Sequence, residues 1–358
     1  MKKAFIIGTN SDNIAKVQRE PFSYNKRILS KELGMKTEYI CAETSLEIQE
    51  ASMGIDADIL FLMFPWKESP EDVESALVNI RNAYQNTQPP KIIFIDPFAQ
   101  STTRYFNVLP YVDFFLKRQR LKDIEQYKKE DLIGGSTMTD FIAKNWSYDF
   151  KDWHIGSQIS DEYKDRIIAG WNLGTAKKYK NILTYSSIWP FRKKKNIDVF
   201  CRLSLGFKKN REWYCEYRID AVEALQPLQK KYKLASSARF LEDGLISKRQ
   251  YSSELKGSRI VFSPFGWGEN CWRDFEAICY DSLLVKPDMS HISTNPDIFI
   301  AGETYVPVKW DFSDLEEKCA YYLEHQDEAN RIIKNARDKY MSYFKNNEFP
   351  KLIGQLIN

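Results

Sequence analysis

Short apolar runs alternate with longer amphipathic stretches along the whole chain. In the first half, Ala4–Ile7, Glu38–Cys41, Ile59–Phe64, Ile92–Ile95 and Val112–Leu116 read as strands. The runs DILFLMF and KIIFI are apolar at nearly every position, as expected for strands covered on both faces. Pro70–Tyr84 reads as a helix, with Asp72 and Glu74 near its start, where they suit the helix dipole. Strand, helix, strand in this order predicts a parallel sheet flanked by helices.

The same rhythm restarts after residue 196. Ile197–Cys201, Ser258–Phe262, Leu283–Val285 and Tyr305–Val308 read as strands, and Glu212–Lys231, Phe275–Tyr280 and Leu315–His325 as helices. Glu328 to Phe344, rich in Lys, Arg, Asn and Tyr, reads as a long exposed helix. Between the halves, KKYKNILTYSSIWPFRKKKN (177–196) combines Ser186-Ser187, Pro190 and the four cations Arg192–Lys195, which makes it the best linker. The predicted fold class is α/β, with two Rossmann-like domains facing a central cleft. The expected division is an N-terminal domain over 1–185, a linker over 186–196 and a C-terminal domain over 197–358, whose last helix is free to pack back on the first domain. Ligands of such sheets bind at the carboxyl ends of the strands, so the crevice between the domains is the expected site.

Composition narrows the picture little. The chain has 358 residues, 43% hydrophobic and 28% charged, which fits a globular protein rather than a disordered one. Aromatic residues make up 14% and read first as core, although flat rings also match the apolar face of a sugar. A net charge of +3 is too small to argue for nucleic acid. The six cysteines (Cys41, Cys201, Cys215, Cys271, Cys279, Cys319) show no CxxC spacing, so neither a zinc site nor a disulfide framework is indicated. No apolar run approaches a membrane span and no secretory leader is visible, so a cytoplasmic location is expected.

The most informative stretch is SPFGWGENCWRDFEAICYDSLLVKPD, residues 263–288. Phe262 ends a strand, Gly266-Trp267-Gly268 makes the connection, and a helix starts near Asn270. At 100° per residue, Trp272, Phe275, Ile278 and Cys279 share a stripe facing the sheet, with Arg273, Glu276 and Tyr280 on a neighbouring one. A helix N-terminus preceded by glycines suits a diphosphate, because free N–H groups and a partial positive charge meet it without an intervening Cβ. Arg273 would add a forked contact to phosphate and Glu276 would accept from a ribose diol. The plain alternative is a solvent-exposed Arg273–Glu276 helix pair.

GENCWRDFEAICYDSLLVKPD, followed by ETYVPVKWDFSDLEEKCAYYLEHQDE, resembles the C-terminal half of GT-B glycosyltransferases, closest to the CgeB-like and family-1-like group of bacterial polysaccharide transferases. FIDPFAQSTTRYFNVLPYVDFFLKRQ resembles their acceptor half. The resemblance implies that Glu276 binds the nucleotide ribose and that Glu269 contacts the donor sugar; the diphosphate is expected over the helix N-terminus near Gly268–Arg273. Six residues rather than seven separate the two glutamates, so retaining chemistry is not assigned. It also implies a basic residue after the first strand of the C-terminal domain, for which Arg202 is preferred, with Lys208 and Lys209 nearby. Lys286, Asp288 and His291 follow the next strand and are further donor-side candidates.

The acceptor side is less legible. GTNSDN (8–13) ends the first strand in small polar residues but lacks a GxGxxG fingerprint, which disfavours a nicotinamide oxidoreductase. An inverting transfer needs a carboxylate as general base. Asp96, Asp113 and Asp140 are candidates, with Asp140 in the loop-like GGSTMTDF preferred. No DxD motif stands in an obvious loop, so neither a metal nor a cofactor is expected. Arg192–Lys195 beside Phe191 could dock on anionic lipid headgroups, the alternative being a solvated linker. The expected reaction moves a sugar from an activated donor, by expectation a nucleotide sugar, to a cell-surface glycan or lipid-linked glycan. A phosphoribosyl pyrophosphate-type donor, or a catalytically silent sugar- or nucleotide-binding partner, stands as the alternative.

Overall fold

The computed structural model describes residues 1–85, 88–186, 194–209, 212–236 and 240–358. In the first half, strands β1 (Lys2–Gly8), β2 (Met35–Cys41), β3 (Ile59–Met63), β4 (Lys91–Ile95), β5 (Phe114–Lys117), β6 (Gln119–Leu121) and β7 (Ile167–Ala169) alternate with helices α1 (Asn13–Tyr24), α2 (Lys26–Leu33), α3 (Ser45–Met53), α4 (Pro70–Ala83), α5 (Thr137–Trp146) and α6 (Lys177–Ser186). Six of these strands form a wholly parallel sheet in the order β2-β1-β3-β4-β5-β7. All five residues of β3 are buried, which accounts for its unbroken apolar run. Helix α4 starts where its capping chemistry dictates: the Ser69 hydroxyl accepts from Asp72 N, Pro70 fills the first turn, and Val73, Ala76, Leu77 and Ile80 make the buried stripe.

The second half holds β8 (Ile197–Cys201), β9 (Leu234–Ser236), β10 (Ser258–Phe262), β11 (Leu283–Pro287), β12 (Ile292–Thr294) and β13 (Val306–Val308). Its helices are α7 (Trp213–Glu223), α8 (Lys248–Lys256), α9 (Trp272–Cys279), α10 (Leu315–Glu324), α11 (Gln326–Lys345) and α12 (Glu348–Ile357). Its parallel sheet runs β13-β11-β10-β8-β9. The strand order reverses between β1 and β3 in the first sheet and between β8 and β10 in the second. These two switch points are where crevices open in doubly wound sheets.

Two expected helices differ from the sequence reading. The helix foreseen over 212–231 stops at Glu223 and continues as a 3-10 turn over Gln226–Lys230. Pro227 has no N–H to donate, and it disfavours helical geometry at the residue before it. The helix foreseen as exposed over 328–344 is α11, and Ala329, Ile332, Ala336, Tyr340 and Tyr343 are buried along it. After α11 the chain returns to the first domain. Phe349, Leu352, Ile353, Leu356 and Ile357 of α12 share a core with Ala4, Ile6, Phe61 and Ile93. Lys2 Nζ and Lys91 Nζ donate to the last carbonyls of α12, Ile357 O at 2.8 Å and Leu356 O at 3.0 Å.

A third, two-stranded ladder joins the halves. β6 pairs antiparallel with β12, Gln119 opposite Thr294 and Leu121 opposite Ile292. Asn172 N donates to Asn295 O at 2.8 Å, and Tyr179 Oη donates to Trp272 O at 3.0 Å. Rings also meet across the boundary: Phe141 and Trp310 lie 5.2 Å apart edge to face.

Candidate active site

The loop after β10 is built for close approach. A Cβ on Gly268 would sit 2.0 Å from Ala99 O of the first domain, so only glycine lets this backbone pass. Glu269, 1% exposed, follows at once and accepts Ser101 Oγ at 2.7 Å, Ser101 N at 3.1 Å and Gln119 Nε2 at 2.7 Å. Asn270 Nδ2 donates to Gln119 Oε1 at 2.5 Å. Every one of these partners belongs to the first domain, so the loop acts as a clasp across the cleft.

Helix α9 then begins with Cys271 at its cap, whose N–H donates to Asp274 Oδ2 at 2.8 Å. Asp274 is fully buried, paired with Lys286 Nζ at 3.1 Å and accepting Ser263 Oγ at 2.5 Å. This network locks the start of the helix beneath the cleft. Phe275, Ile278 and Cys279 face the core as the periodicity requires, and Trp272 is half-buried.

A cavity of about 300 Å³ lies between the domains at this point. Three arginines line it: Arg118 from the link between β5 and β6, Arg218 from α7 and Arg273 from α9. Each makes a hydrogen bond to a backbone carbonyl: Arg118 Nη2 to Pro97 O at 2.8 Å, Arg218 Nη1 to Ser204 O at 2.9 Å, and Arg273 Nη1 to Arg202 O at 3.2 Å. Each also carries buried nitrogen without a partner: Nε of Arg118 and Arg218, and both Nε and Nη2 of Arg273. Burial lowers the guanidinium pKa of Arg118 and of Arg218 from the usual value, and the Arg273 charge adds to the effect on Arg218. No carboxylate is among the described residues lining the cavity. Buried donors of one sign, left unsatisfied, are expensive unless a ligand completes them.

Glu276 stands one hydrogen bond behind this wall. Tyr251, which lines the cavity, donates its hydroxyl to Glu276 Oε2 at 3.0 Å, and Lys178 Nζ lies 3.4 Å from Oε1. A second, larger cavity of about 470 Å³ opens at the carboxyl ends of β1, β3 and β4, and Ile14 lines both.

Gly268 and Arg273 line the cavity, Glu276 stands behind it on Tyr251, and the other expected residues are engaged elsewhere. Arg202 is held by Glu254, Nε to Oε2 at 2.7 Å and Nη2 to Oε1 at 3.0 Å, with Nη1 on Ser236 O at 2.7 Å; what it offers the cleft is its carbonyl. Lys286 is buried on Asp274 beneath α9 rather than facing a donor. Asp288 closes its own turn, accepting Ser290 Oγ, and Tyr305 Oη at 3.2 Å. His291 packs 5.1 Å from the Trp310 ring, and burial lowers its pKa. Asp140 lies on α5 rather than in a loop, accepting Ile133 N at 3.2 Å and Lys144 Nζ at 2.7 Å. Asp96 is buried on Lys117 at 2.5 Å, and Asp113 is tied to Arg81 at 2.8 Å. An Asp56-Ala57-Asp58 triplet does occur, but at the amino end of β3, opposite the cleft, where Asp58 Oδ2 accepts Lys3 N. Arg192 and Lys193 lie outside the described residues. Lys195 donates to Tyr280 O at 2.7 Å and Ser282 Oγ at 2.9 Å, a packing role rather than a free lipid contact.

Arg118 and Arg218 are site residues that sequence reasoning missed. Arg118 had a local signal, the cation run Lys117-Arg118-Gln119-Arg120 at a strand's carboxyl end. Arg218 had none, because nothing in WYCEYRID distinguishes its face.

Two Rossmann-like α/β domains about a central cleft define the GT-B architecture. No family model and no curated protein matches the chain. Among solved structures it is similar to a mutant of S. aureus TarM in complex with fondaparinux, alpha-GlcNAc-glycerol and UDP, at 10% identity and a TM-score of 0.46 over 87% of this chain. The chain spans 59% of the length of that structure. A glycosyltransferase from Rickettsia africae is similar at 13% identity and a TM-score of 0.44, covering 98% of each chain. An alpha,alpha-trehalose-phosphate synthase (UDP-forming) from Burkholderia vietnamiensis is similar at 6% identity and a TM-score of 0.48, covering 99% of each. At such identities and TM-scores the likeness says nothing of ligand or reaction. No helix among the described residues is long and apolar enough to cross a membrane.

Proposed function

We propose that the protein is a glycosyltransferase that holds the diphosphate of a nucleotide-sugar donor in the arginine-lined cavity and passes the sugar to a glycan bound by the first domain. One observation carries this reading: three arginines from both domains line one cavity with no carboxylate among its described lining residues, and each keeps a buried guanidinium nitrogen without a partner. A diphosphate supplies both the charge and the acceptor oxygens that these groups lack. Glu276 is assigned to the ribose hydroxyls, reached by displacing its bond to Tyr251. Gly268 lets the loop close over the phosphates. Glu269, held by Ser101 and Gln119, positions the cleft wall.

In the reaction, an acceptor hydroxyl oxygen bonds to the anomeric carbon as the bond from that carbon to the diphosphate oxygen breaks. The electron pair leaves on the diphosphate, where Arg118, Arg218 and Arg273 stabilise it. Asp12 is assigned to take the hydroxyl proton in place of Asp140. It lines the second cavity close to Arg118, and its Oδ2 has no partner among the described residues.

Calorimetry with UDP, GDP, CDP, ADP, dTDP, phosphoribosyl pyrophosphate and inorganic pyrophosphate tests the reading. One nucleoside diphosphate should bind more tightly than pyrophosphate, and Arg218→Gln should weaken both. A preference for phosphoribosyl pyrophosphate would move the donor to that class. Absence of binding by every probe would overturn the diphosphate site. Nucleotide binding without turnover on any glycan would favour the silent binding partner.

A further inference from the structure

The second cavity has the opposite electrostatic character from the first. Asp12, Glu43 and Glu68 line it with no ion-pair partner among the described residues, while Asp96 is neutralised by Lys117. Lys67 is the one cation among its described lining residues. Hydrogen bonds from Thr9 and from Asn10 N hold the Glu43 carboxyl down at about 2, so it stays ionised. Glu68 accepts Ser45 N at 3.0 Å and Ser45 Oγ at 2.5 Å, and Asp12 accepts Ile14 N at 2.9 Å. Gln18 is 3% exposed and donates Nε2 to Trp171 O, which leaves Oε1 without a partner among the described residues. The cavity is therefore rich in hydrogen-bond acceptors and poor in donors.

Beside these groups stands an exposed ring on a fixed backbone. Trp66 lines the cavity and is 44% exposed. Its carbonyl accepts Arg104 Nη2 at 2.7 Å and Tyr105 Oη at 3.2 Å, and Glu68 O accepts the same two groups at 2.7 Å each. The loop backbone is pinned and the indole is exposed, with Lys67 Nζ 5.5 Å from its ring centroid, so a flat ligand can stack on it by displacing one flexible side chain.

Building on the glycosyltransferase reading, we propose that this cavity takes the acceptor as a neutral or amine-bearing saccharide, stacked on Trp66 and donating its hydroxyl or ammonium hydrogens to Asp12, Gln18, Glu43 and Glu68. A sugar hydroxyl brings a hydrogen to each acceptor. A phosphate or carboxylate brings none and meets three like charges. The acceptor therefore carries no anionic group in the part that enters.

The test is a glycan array of neutral, amino, uronate, sulfated and phosphorylated glycans, read with the full chain. Retained glycans should be neutral or amino and should exceed acidic glycans of the same skeleton at least about 10-fold. Trp66→Ala should lose at least about 10-fold of that retention and Trp66→Phe should keep most of it. Retention of acidic glycans, retention unchanged in Trp66→Ala, or no retention of any class would each overturn the proposal. Calorimetry with pyrophosphate on the same samples separates this proposal from the donor reading, because Trp66→Ala should bind pyrophosphate like the wild type. Neutral glycans retained through Trp66 without any diphosphate binding would sink the donor site and leave the saccharide site standing. Diphosphate binding with acidic glycans retained would do the reverse.

Discussion

Replacing Arg273 by methionine should stabilise the empty protein and weaken its ligand, two effects of opposite sign from one side chain. Arg273 is 8% exposed, makes one bond of 3.2 Å to Arg202 O, and leaves Nε and Nη2 buried and unpaired. An unsatisfied buried polar group costs about 1–3 kcal/mol, and a net hydrogen bond contributes about 1 kcal/mol. Methionine has similar reach, removes both orphaned nitrogens and forfeits the bond to Arg202. The balance favours Arg273→Met by roughly 1–5 kcal/mol in the empty state. At about 2–4 °C per kcal/mol for a domain of this size, thermal unfolding should move up by a few degrees or more. Diphosphate binding loses a charge-assisted bond worth about 1.5–3 kcal/mol, a rise in Kd of about 10- to 150-fold. Differential scanning calorimetry without ligand and titration calorimetry with pyrophosphate measure the two arms. A variant several degrees less stable with unchanged pyrophosphate affinity would refute the reasoning, because the guanidinium would then serve the fold and not a ligand.

Three further outcomes follow from the same geometry. Glu276→Ala should weaken the preferred nucleoside diphosphate about 10-fold by titration calorimetry and leave pyrophosphate unchanged, since only the former has a ribose diol. Glu269→Ala should lower stability by about 2–3 kcal/mol in urea unfolding, because Ser101 N and Oγ and Gln119 Nε2 lose their shared carboxylate inside the interface. His291 is held neutral by burial, with a folded pKa below the unfolded value near 6.5. Its contribution is present above about pH 6.5 and is lost as pH falls from there through the folded value, so unfolding followed against pH should lose this slope in His291→Leu.

Much of the architecture is written locally. β3 and β4 show their burial in their own apolar runs, and Ser69, Pro70, Glu71 and Asp72 mark the start of α4 by capping chemistry alone. The stripe of Phe275, Ile278 and Cys279 on α9 follows from helical spacing, as does the Gly-Trp-Gly connection into it. Such features depend on residues within a turn or two of one another, and the sequence displays those neighbours directly.

What the chain order could not display is which partner the fold delivers to each charge. Arg202 stands at a strand end on the cleft side, as the motif suggested, but Glu254, 52 residues later, takes its guanidinium. Glu269 sits beside the cleft loop, yet its carboxylate is used by Gln119 and Ser101, 150 and 168 residues away. Arg118 and Arg218 belong to different domains and meet Arg273 only when β6 pairs with β12 and the halves close. Hydrophobic periodicity is a property of neighbouring positions, so the sequence by itself determined the buried strands and the loop between β10 and α9. Whether an ionic side chain is paired or left open to a ligand depends on distant groups brought within about 3 Å, and only the tertiary structure decided that.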